Sequence, residues 1–371
     1  MTQIAVVGPW LSDNLSQPPS GVANYLHDLL TAGPLTANVT VVAQRGCKEG
    51  GPVPRLRVQA TWAPNLLAAV RIIRTLVKER PSVLHLHHEF RLFGSIINTA
   101  TVFLGVAFFR RRLRIIVTVH GVVSRREAVG SLLGQARRRT NRRLSCVAFA
   151  ASYRYLAWLA DDIIVLHDAL REILTADYGV GSVTIPIGLS SKQAEPEERD
   201  ASTALLFGFL TSYKCPELVL DLAEANVIPN AYFIISVALN PRDHSEAYKA
   251  RYKDIERRAR ALGARGRWHP YLDDTTLSQL LRRATVVVMP YTSLVAATAI
   301  GAQAIGSGIA ICYSSALEPI FGSGRGMFEM TLPSLKAALI EAFEEHYTTK
   351  CQLPSCIETL RLTELVWQTS L

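Results

Sequence analysis

The chain has 371 residues, 49% of them hydrophobic and 19% charged, a composition that excludes a largely disordered protein and a length that predicts two cores rather than one. Its six cysteines (47, 146, 215, 312, 351 and 356) form no CxxC pair or regular spacing, which argues against a disulfide framework and predicts a reducing, cytoplasmic setting. The net charge of +9 is uneven: residues 1–186 hold 22 Lys and Arg against 11 Asp and Glu (+11), the remainder 18 against 20 (−2), so the first half is the one suited to an anionic partner.

In chain order, residues 3–8 read as a first strand ending at Gly8, with no signal peptide before it. The sequons at Asn14 and Asn38 are then chance matches. A polar loop runs to Ser20, and Gly21 opens a helix whose apolar residues Val22, Tyr25, Leu26, Leu29 and Leu30 keep helical spacing. A strand at 38–43, a helix at 65–79, and strands at 82–86 and 115–119 follow. The apolar stretch 93–109 is too short for a membrane span, which needs about 20 residues, and predicts a buried or surface-dipping helix. Residues 125–157 read as one or two helices carrying Arg137, Arg138, Arg139, Arg142 and Arg143, a cluster suited to the inner face of an anionic membrane or to a lipid-phosphate acceptor. No recognition motif or interleaved aromatics support nucleic-acid binding there. A strand at 161–166, a helix at 168–178 capped by Asp168, and a charged linker at 192–200 complete this half.

The second half restarts the rhythm. Strands are predicted at 204–207, 232–237, 267–271, 286–289 and 309–313, and helices at 216–225, 247–262, 274–283, 295–305 and 335–346. The stretch Val286–Gly308 is a β-branched strand, a turn through Ser293 and a small-residue helix, an arrangement whose backbone N–H groups favour an anion. An amphipathic piece ends the chain at 357–367. Alternating strands and helices of this kind predict a doubly wound α/β class. The expected domains are 1–190 and 201–348, with the helical segment 349–371 packing back on the first.

Seven segments in order, among them HLHHEF, VTVHG, LLFGFLTSYKC and AQAIGSGIAICYSSALEPIF, resemble the retaining family 4 glycosyltransferases of the GT-B fold. The likeness implies two Rossmann-like domains facing across a cleft, and metal-free transfer from a UDP- or GDP-sugar to an acceptor hydroxyl. No cofactor is implied, since the nucleotide-sugar is a substrate. By the same likeness Gly21 is the loop glycine at the diphosphate, His120 the active-site histidine, and Lys214 the phosphate lysine. Ala296, Ala297, Thr298, Ala299, Gln303 and Glu318 line the donor side. His87, His88, Glu89, Arg125 and Arg126 lie on the acceptor side. Three histidines and a glutamate within 85–89 invite a metal reading, but strand alternation puts His85 and His87 on one face and His88 on the other, so no metal site is assigned. The sequence departs from the family in two places. Its phosphate arginine would fall on Phe209 or Thr211, and its paired glutamates on Val295 and Gln303. A catalytically impaired homologue serving as a binding or partner subunit is therefore the alternative.

Overall fold

A computed structural model describes residues 2–12, 21–90, 92–130, 139–189, 200, 202–239, 245–296, 299–345, 347 and 353–369, with side chains of 128–145 and of Asp274 left aside. It divides the chain into two compact units: Met1–Gly188 with Val295–Ala297 and Pro354–Leu371, and Leu189–Leu294 with Thr298–Leu353. The linker expected at 192–200 lies almost wholly outside the described residues.

The first unit runs β1 (Gln3–Val7), α1 (Gly21–Thr31), β2 (Asn38–Gln44), β3 (Leu56–Trp62), α2 (Ala68–Glu79), β4 (Val83–His88), α3 (Ile96–Val106), β5 (Arg114–Val119), α4 (Arg125–Gly130), α5 (Arg139–Leu159), β6 (Asp162–Val165), α6 (Asp168–Tyr178) and β7 (Val183–Thr184). Its strands form one parallel sheet in the order β3-β2-β1-β4-β5-β6-β7. The strand β3 has no counterpart in the sequence reading, because its register Leu56, Val58, Ala60 alternates with Arg57 and Gln59 in a Pro- and Gly-flanked segment that reads as loop. The cap of α6 also differs: His167 Nδ1, not the Asp168 carboxylate, accepts the Ala169 N–H at 3.1 Å. The Asp168 carboxylate is occupied by Thr184 and Arg171.

The second unit runs β8 (Thr203–Phe209), α7 (Pro216–Ala225), β9 (Tyr232–Ala238), α8 (Glu246–Ala261), β10 (Gly266–His269), α9 (Asp274–Arg283), β11 (Val286–Met289), α10 (Ala299–Gly306), β12 (Ala310–Ser314), α11 (Glu318–Phe321), β13 (Met327–Phe328) and α12 (Leu332–Glu345). Its parallel sheet has the order β10-β9-β8-β11-β12-β13. The central strands of both sheets, such as β1, β5 and β11, are buried on both faces, hence their Val- and Ile-rich runs. The last helix, α13 (Cys356–Gln368), belongs to the first unit. Its Leu360 and Trp367 share a core with Leu26 and Leu30 of α1, and Ser355 and Glu358 close a reciprocal capping box at its start.

The small-residue helix begins later than its sequence suggests. Val295 and Ala296 are extended: Ala296 bridges Gly121 antiparallel, and the Val295 carbonyl accepts the Val122 N–H at 2.9 Å. That pairing takes Val295 and Ala296 out of the predicted helix 295–305; among the described residues α10 runs from Ala299.

Candidate functional site

In an open parallel sheet, the crevice at the carboxyl ends of two strands whose connections leave in opposite directions is where ligands bind. The first sheet reverses between β1 and β4, the second between β8 and β11.

At the first reversal, β4 ends in His87 and His88, and His120 follows β5. His87 Nδ1 and His120 Nε2 are 2.8 Å apart, and the Tyr25 ring stands edge-on to His120 with centroids 5.1 Å apart. The segment after His120 is held from three sides. Val122 donates to Val295, Val123 N–H donates to Tyr153 Oη at 2.9 Å, and Tyr178 Oη–H donates to the Val123 carbonyl. Behind His87 lies His85. The Trp367 indole N–H donates to His85 Nδ1 at 3.2 Å, which leaves the proton on Nε2 to be donated to Thr118 Oγ1 at 2.7 Å. The ladder from Trp367 through His85 to His87 thus has its tautomer set at one end. Burial depresses the His85 pKa to about 3 and holds that of His87 well below the usual imidazole range, helped by its neighbours His85 and His120, so both rings are neutral at neutral pH. His87 Nε2 is buried and has no hydrogen-bond partner among the described residues.

His88 points to the other face, packed edge-on against Phe90 and Phe103, and burial lowers its pKa to about 4. Glu89 is half-buried just past the strand, and Arg125 and Arg126 are exposed at the start of α4. Gly21 is the exposed first residue of α1. A Cβ there would meet no described atom within 4 Å, so nothing within the described fold demands glycine at that position.

At the second reversal, Gly208 is the last residue but one of β8, and its φ of +123° suits glycine. A Cβ there would lie 2.9 Å from Lys214 Nζ and 2.7 Å from Ile300 Cδ1, so Gly208, Lys214 and the first turn of α10 converge. A shallow indentation opens here, lined by Gly208, Phe209, Lys214, Pro290 and Tyr291 among others. The Lys214 ammonium sits 5.3 Å from the centre of the Tyr291 ring, and among the described residues no carboxylate pairs with it. Desolvation lowers its pKa to about 8. The loop bearing it is clamped twice. Lys214 bridges Tyr291 antiparallel, with Cys215 N–H donating to the Pro290 carbonyl and Thr292 N–H to the Tyr213 carbonyl. From α8, the Arg251 guanidinium donates to the Thr211 and Lys214 carbonyls at 3.0 and 2.8 Å while forking onto Glu217. Sequence reasoning missed both Arg251 and the Tyr291 platform. Arg251 lies more than thirty residues away on a helix that reads only as charged surface. We expect Gly208→Ala to cost about 1–3 kcal/mol of stability and to displace Lys214, seen as a lowered urea midpoint together with weakened nucleotide binding.

Of the other donor-side candidates, Ala299 opens α10, Gln303 lies in its second turn, and Glu318 is exposed at the start of α11. Ala296 is held in the first unit by Gly121. Ala297 and Thr298, like Arg137 and Arg138 and the side chains of Arg139, Arg142 and Arg143, lie outside the described residues. Among those described, no group of three or more His, Cys, Asp or Glu is placed to hold a metal ion.

Residues 20–188 match the family model described as a glycosyl transferase 4-like domain. No curated protein sequence matches the chain. Among solved structures it is similar to sucrose-phosphate synthase from Thermosynechococcus elongatus (TM-score 0.74, 14% identity, 100% of this chain and 99% of that one). HepE of Anabaena in complex with UDP-glucose is also similar (TM-score 0.68, 13% identity, 100% of both chains), as is a glycosyltransferase of Rickettsia africae (TM-score 0.58, 11% identity, 99% and 98%). The chain therefore has the α/β GT-B fold, and its residues 20–188 match the glycosyl transferase 4-like model.

Proposed function

We propose that the protein transfers a glycosyl group from a nucleoside-diphosphate sugar to an acceptor hydroxyl, with retention and without a metal ion. The second unit is the donor-binding unit and the first the acceptor-binding unit. The observation that carries this reading is the Lys214 ammonium, free of any described carboxylate and held beside Gly208, Tyr291 and the first turn of α10. A departing diphosphate needs fixed positive charge where its own charge develops. A lysine in a poorly solvated notch, with backbone N–H groups of a helix start beside it, supplies that charge without reorganising solvent. UDP is the favoured nucleotide because HepE, similar over its full length, is in complex with UDP-glucose; GDP is the other candidate. In the first unit His120, backed by the buried His87, contacts the transferred sugar, Gly21 lets the chain approach the diphosphate, and Glu89, Arg125 and Arg126 face the acceptor.

The test is calorimetric titration of the purified protein with UDP-glucose and with a GDP-sugar, in EDTA and in Mg²⁺. Binding of one of them at micromolar strength, unchanged by EDTA, with turnover once an acceptor is supplied, is expected. The second reading, an impaired homologue, draws on Val295, which is apolar, extended and paired to Val122 where the resembled family has a glutamate. It predicts nucleotide-sugar binding without transfer to any acceptor, or no binding at all.

A further inference from the structure

The outer surface formed by α2 and α3 is not accounted for by nucleotide-sugar chemistry. These helices pack against each other, so closely that a Cβ on Gly105 would lie 2.8 Å from Ile73 Cδ1. The helix α5 joins them through the Tyr155 hydroxyl, which donates to the Phe103 carbonyl at 3.1 Å. Their inner faces bury Ile72, Leu76, Val102 and Phe103. Their outer faces ought to be polar if water were the only neighbour. Instead α3 shows Ile97, 67% exposed, and Leu104, and the 3-10 turn that follows it (Ala107–Phe109) shows Phe108, 84% exposed. A spacing of seven residues puts Ile97 and Leu104 on one face of α3 about 10 Å apart, with Phe108 just beyond its end. On α2, Leu67, Val70 and Val77 make a second exposed row.

The charge around these rows has one sign. Segments 66–79, 96–112 and 146–159 together hold seven Lys or Arg and one acidic residue, Glu79, and Glu79 is spent on Arg57 at 2.6 Å. Arg110, Arg111 and Arg112 are exposed immediately beyond Phe108. Arg110 lies over the ring of Trp158, 4.5 Å from its centre, and Trp158 is itself half exposed. An exposed apolar row flanked by arginines, with an indole beside them, is what a helix lying in a bilayer surface presents: apolar side chains to the acyl boundary, an indole to the interfacial belt and cations to anionic phosphates. Among the described residues no helix is long and apolar enough to cross a membrane, so the stripe fits a helix lying in the interfacial plane.

We infer that the α2–α3 surface docks on an anionic phospholipid bilayer, with Ile97, Leu104 and Phe108 entering the acyl boundary and Arg110, Arg111 and Arg112 meeting lipid phosphates. A protein partner is disfavoured because the core of a protein interface is depleted of charge, whereas these rows are flanked by basic residues with a single acidic one. This docking does not depend on the transferase reading, and its test uses no nucleotide.

The experiment is co-sedimentation of the full chain with phosphatidylcholine vesicles, with and without phosphatidylglycerol. Wild type is expected to sediment only with the anionic vesicles and to be released by added salt, which shortens the reach of surface charge. Arg110→Gln/Arg111→Gln/Arg112→Gln is expected to weaken binding about a hundredfold, at about fivefold per arginine. Ile97→Ser/Leu104→Ser/Phe108→Ser is expected to weaken it at least about tenfold. Because all six positions are exposed, both variants should keep the wild-type urea midpoint, and the arginine variant tests the idea even if the apolar one misfolds. Wild type that ignores anionic vesicles, or an arginine variant that binds as well as wild type, would overturn the inference. So would a wild-type dimer in sedimentation velocity that becomes monomeric in the apolar variant, since the stripe would then be a self-association surface.

Discussion

Lys214→Met is expected to lose transfer activity by at least about a hundredfold while making the protein more stable by about 1–3 kcal/mol at neutral pH. The two effects have one cause. The ammonium is held where water is scarce, and desolvation lowers its pKa from the usual 10.5 to about 8. No described carboxylate repays that cost, so the folded state carries it to keep a positive charge facing the notch. Methionine has comparable length, packs against Tyr291 and needs no hydration. The sign with pH follows from proton counting. Below about pH 8 both folded and unfolded chains hold the proton, and the burial penalty is present in full. Between about 8 and 10.5 the unfolded chain binds more protons than the folded one, so wild-type stability rises with pH relative to the methionine variant. Above 10.5 both are neutral and the gap has closed. Urea unfolding of the two proteins at pH 7, 9 and 10.5 measures this. Nucleotide binding should run the other way: a diphosphate favours the ammonium, so affinity falls and proton uptake on binding grows as pH passes 8. A methionine variant that is less stable than wild type, or that binds nucleotide unchanged, would show the lysine to be structural and remove the main support for the proposed function.

Truncating Trp367 should produce the largest loss of stability in the first unit. The side chain is 1% exposed, and its N–H holds His85 Nδ1. Trp367→Ala forfeits packing worth about 3–5 kcal/mol and leaves a buried imidazole nitrogen unpaired, a further ~1–3 kcal/mol. Domains are stable by only about 5–15 kcal/mol, so most of the unit's margin goes. The rest of α13 shows why the chain end cannot simply peel away. Thr36 N–H donates to Glu364 at 2.8 Å, Thr359 Oγ1 to the Pro186 carbonyl at 3.1 Å, and Gly188 passes so close to Cys356 that a Cβ would sit 2.6 Å from its Cα. Hydrogen exchange is the discriminating measurement: α1, α13 and β4 should lose protection while α7 and α8 keep theirs. Trp367→Phe, which keeps a ring but drops the N–H, should lose only about 1–2 kcal/mol. Uniform loss of protection across both sheets would contradict the assignment of α13 to the first unit.

Much of the fold can be read directly from the chain. Strands such as Val286–Met289 and Ile115–Val119 are continuous β-branched runs because both faces are covered, and α9 announces itself through Asp273, whose carboxylate accepts the Thr276 N–H. The strand β3 cannot be read this way. It sits at the sheet edge, where alternating polar residues and flanking glycine and proline look like a loop until β2 pairs with it. The start of α10 is misread for a related reason. Helical spacing from Val295 is correct as a local preference, but an antiparallel bridge to Gly121 overrides it.

The candidate site divides along the same line. His87 and His120 at strand ends, and Lys214 in the loop after β8, are legible because a doubly wound sheet delivers the carboxyl ends of its strands to one edge, so position in the motif predicts position in space. What surrounds them is decided only by tertiary structure. Arg251 reaches the Lys214 loop from α8, Tyr291 comes under its ammonium from the neighbouring strand, and Trp367 sets the tautomer of His85 from the far end of the chain. Such partners are separated by tens to hundreds of residues, and no periodicity or local propensity encodes which of them meet. By itself the sequence determined the strand–helix rhythm, the basic first half and the strand-end residues. The tertiary structure decided which charge goes unpaired, which histidines are neutral and which apolar face is left open, because burial and partnering are properties of packing rather than of residue type.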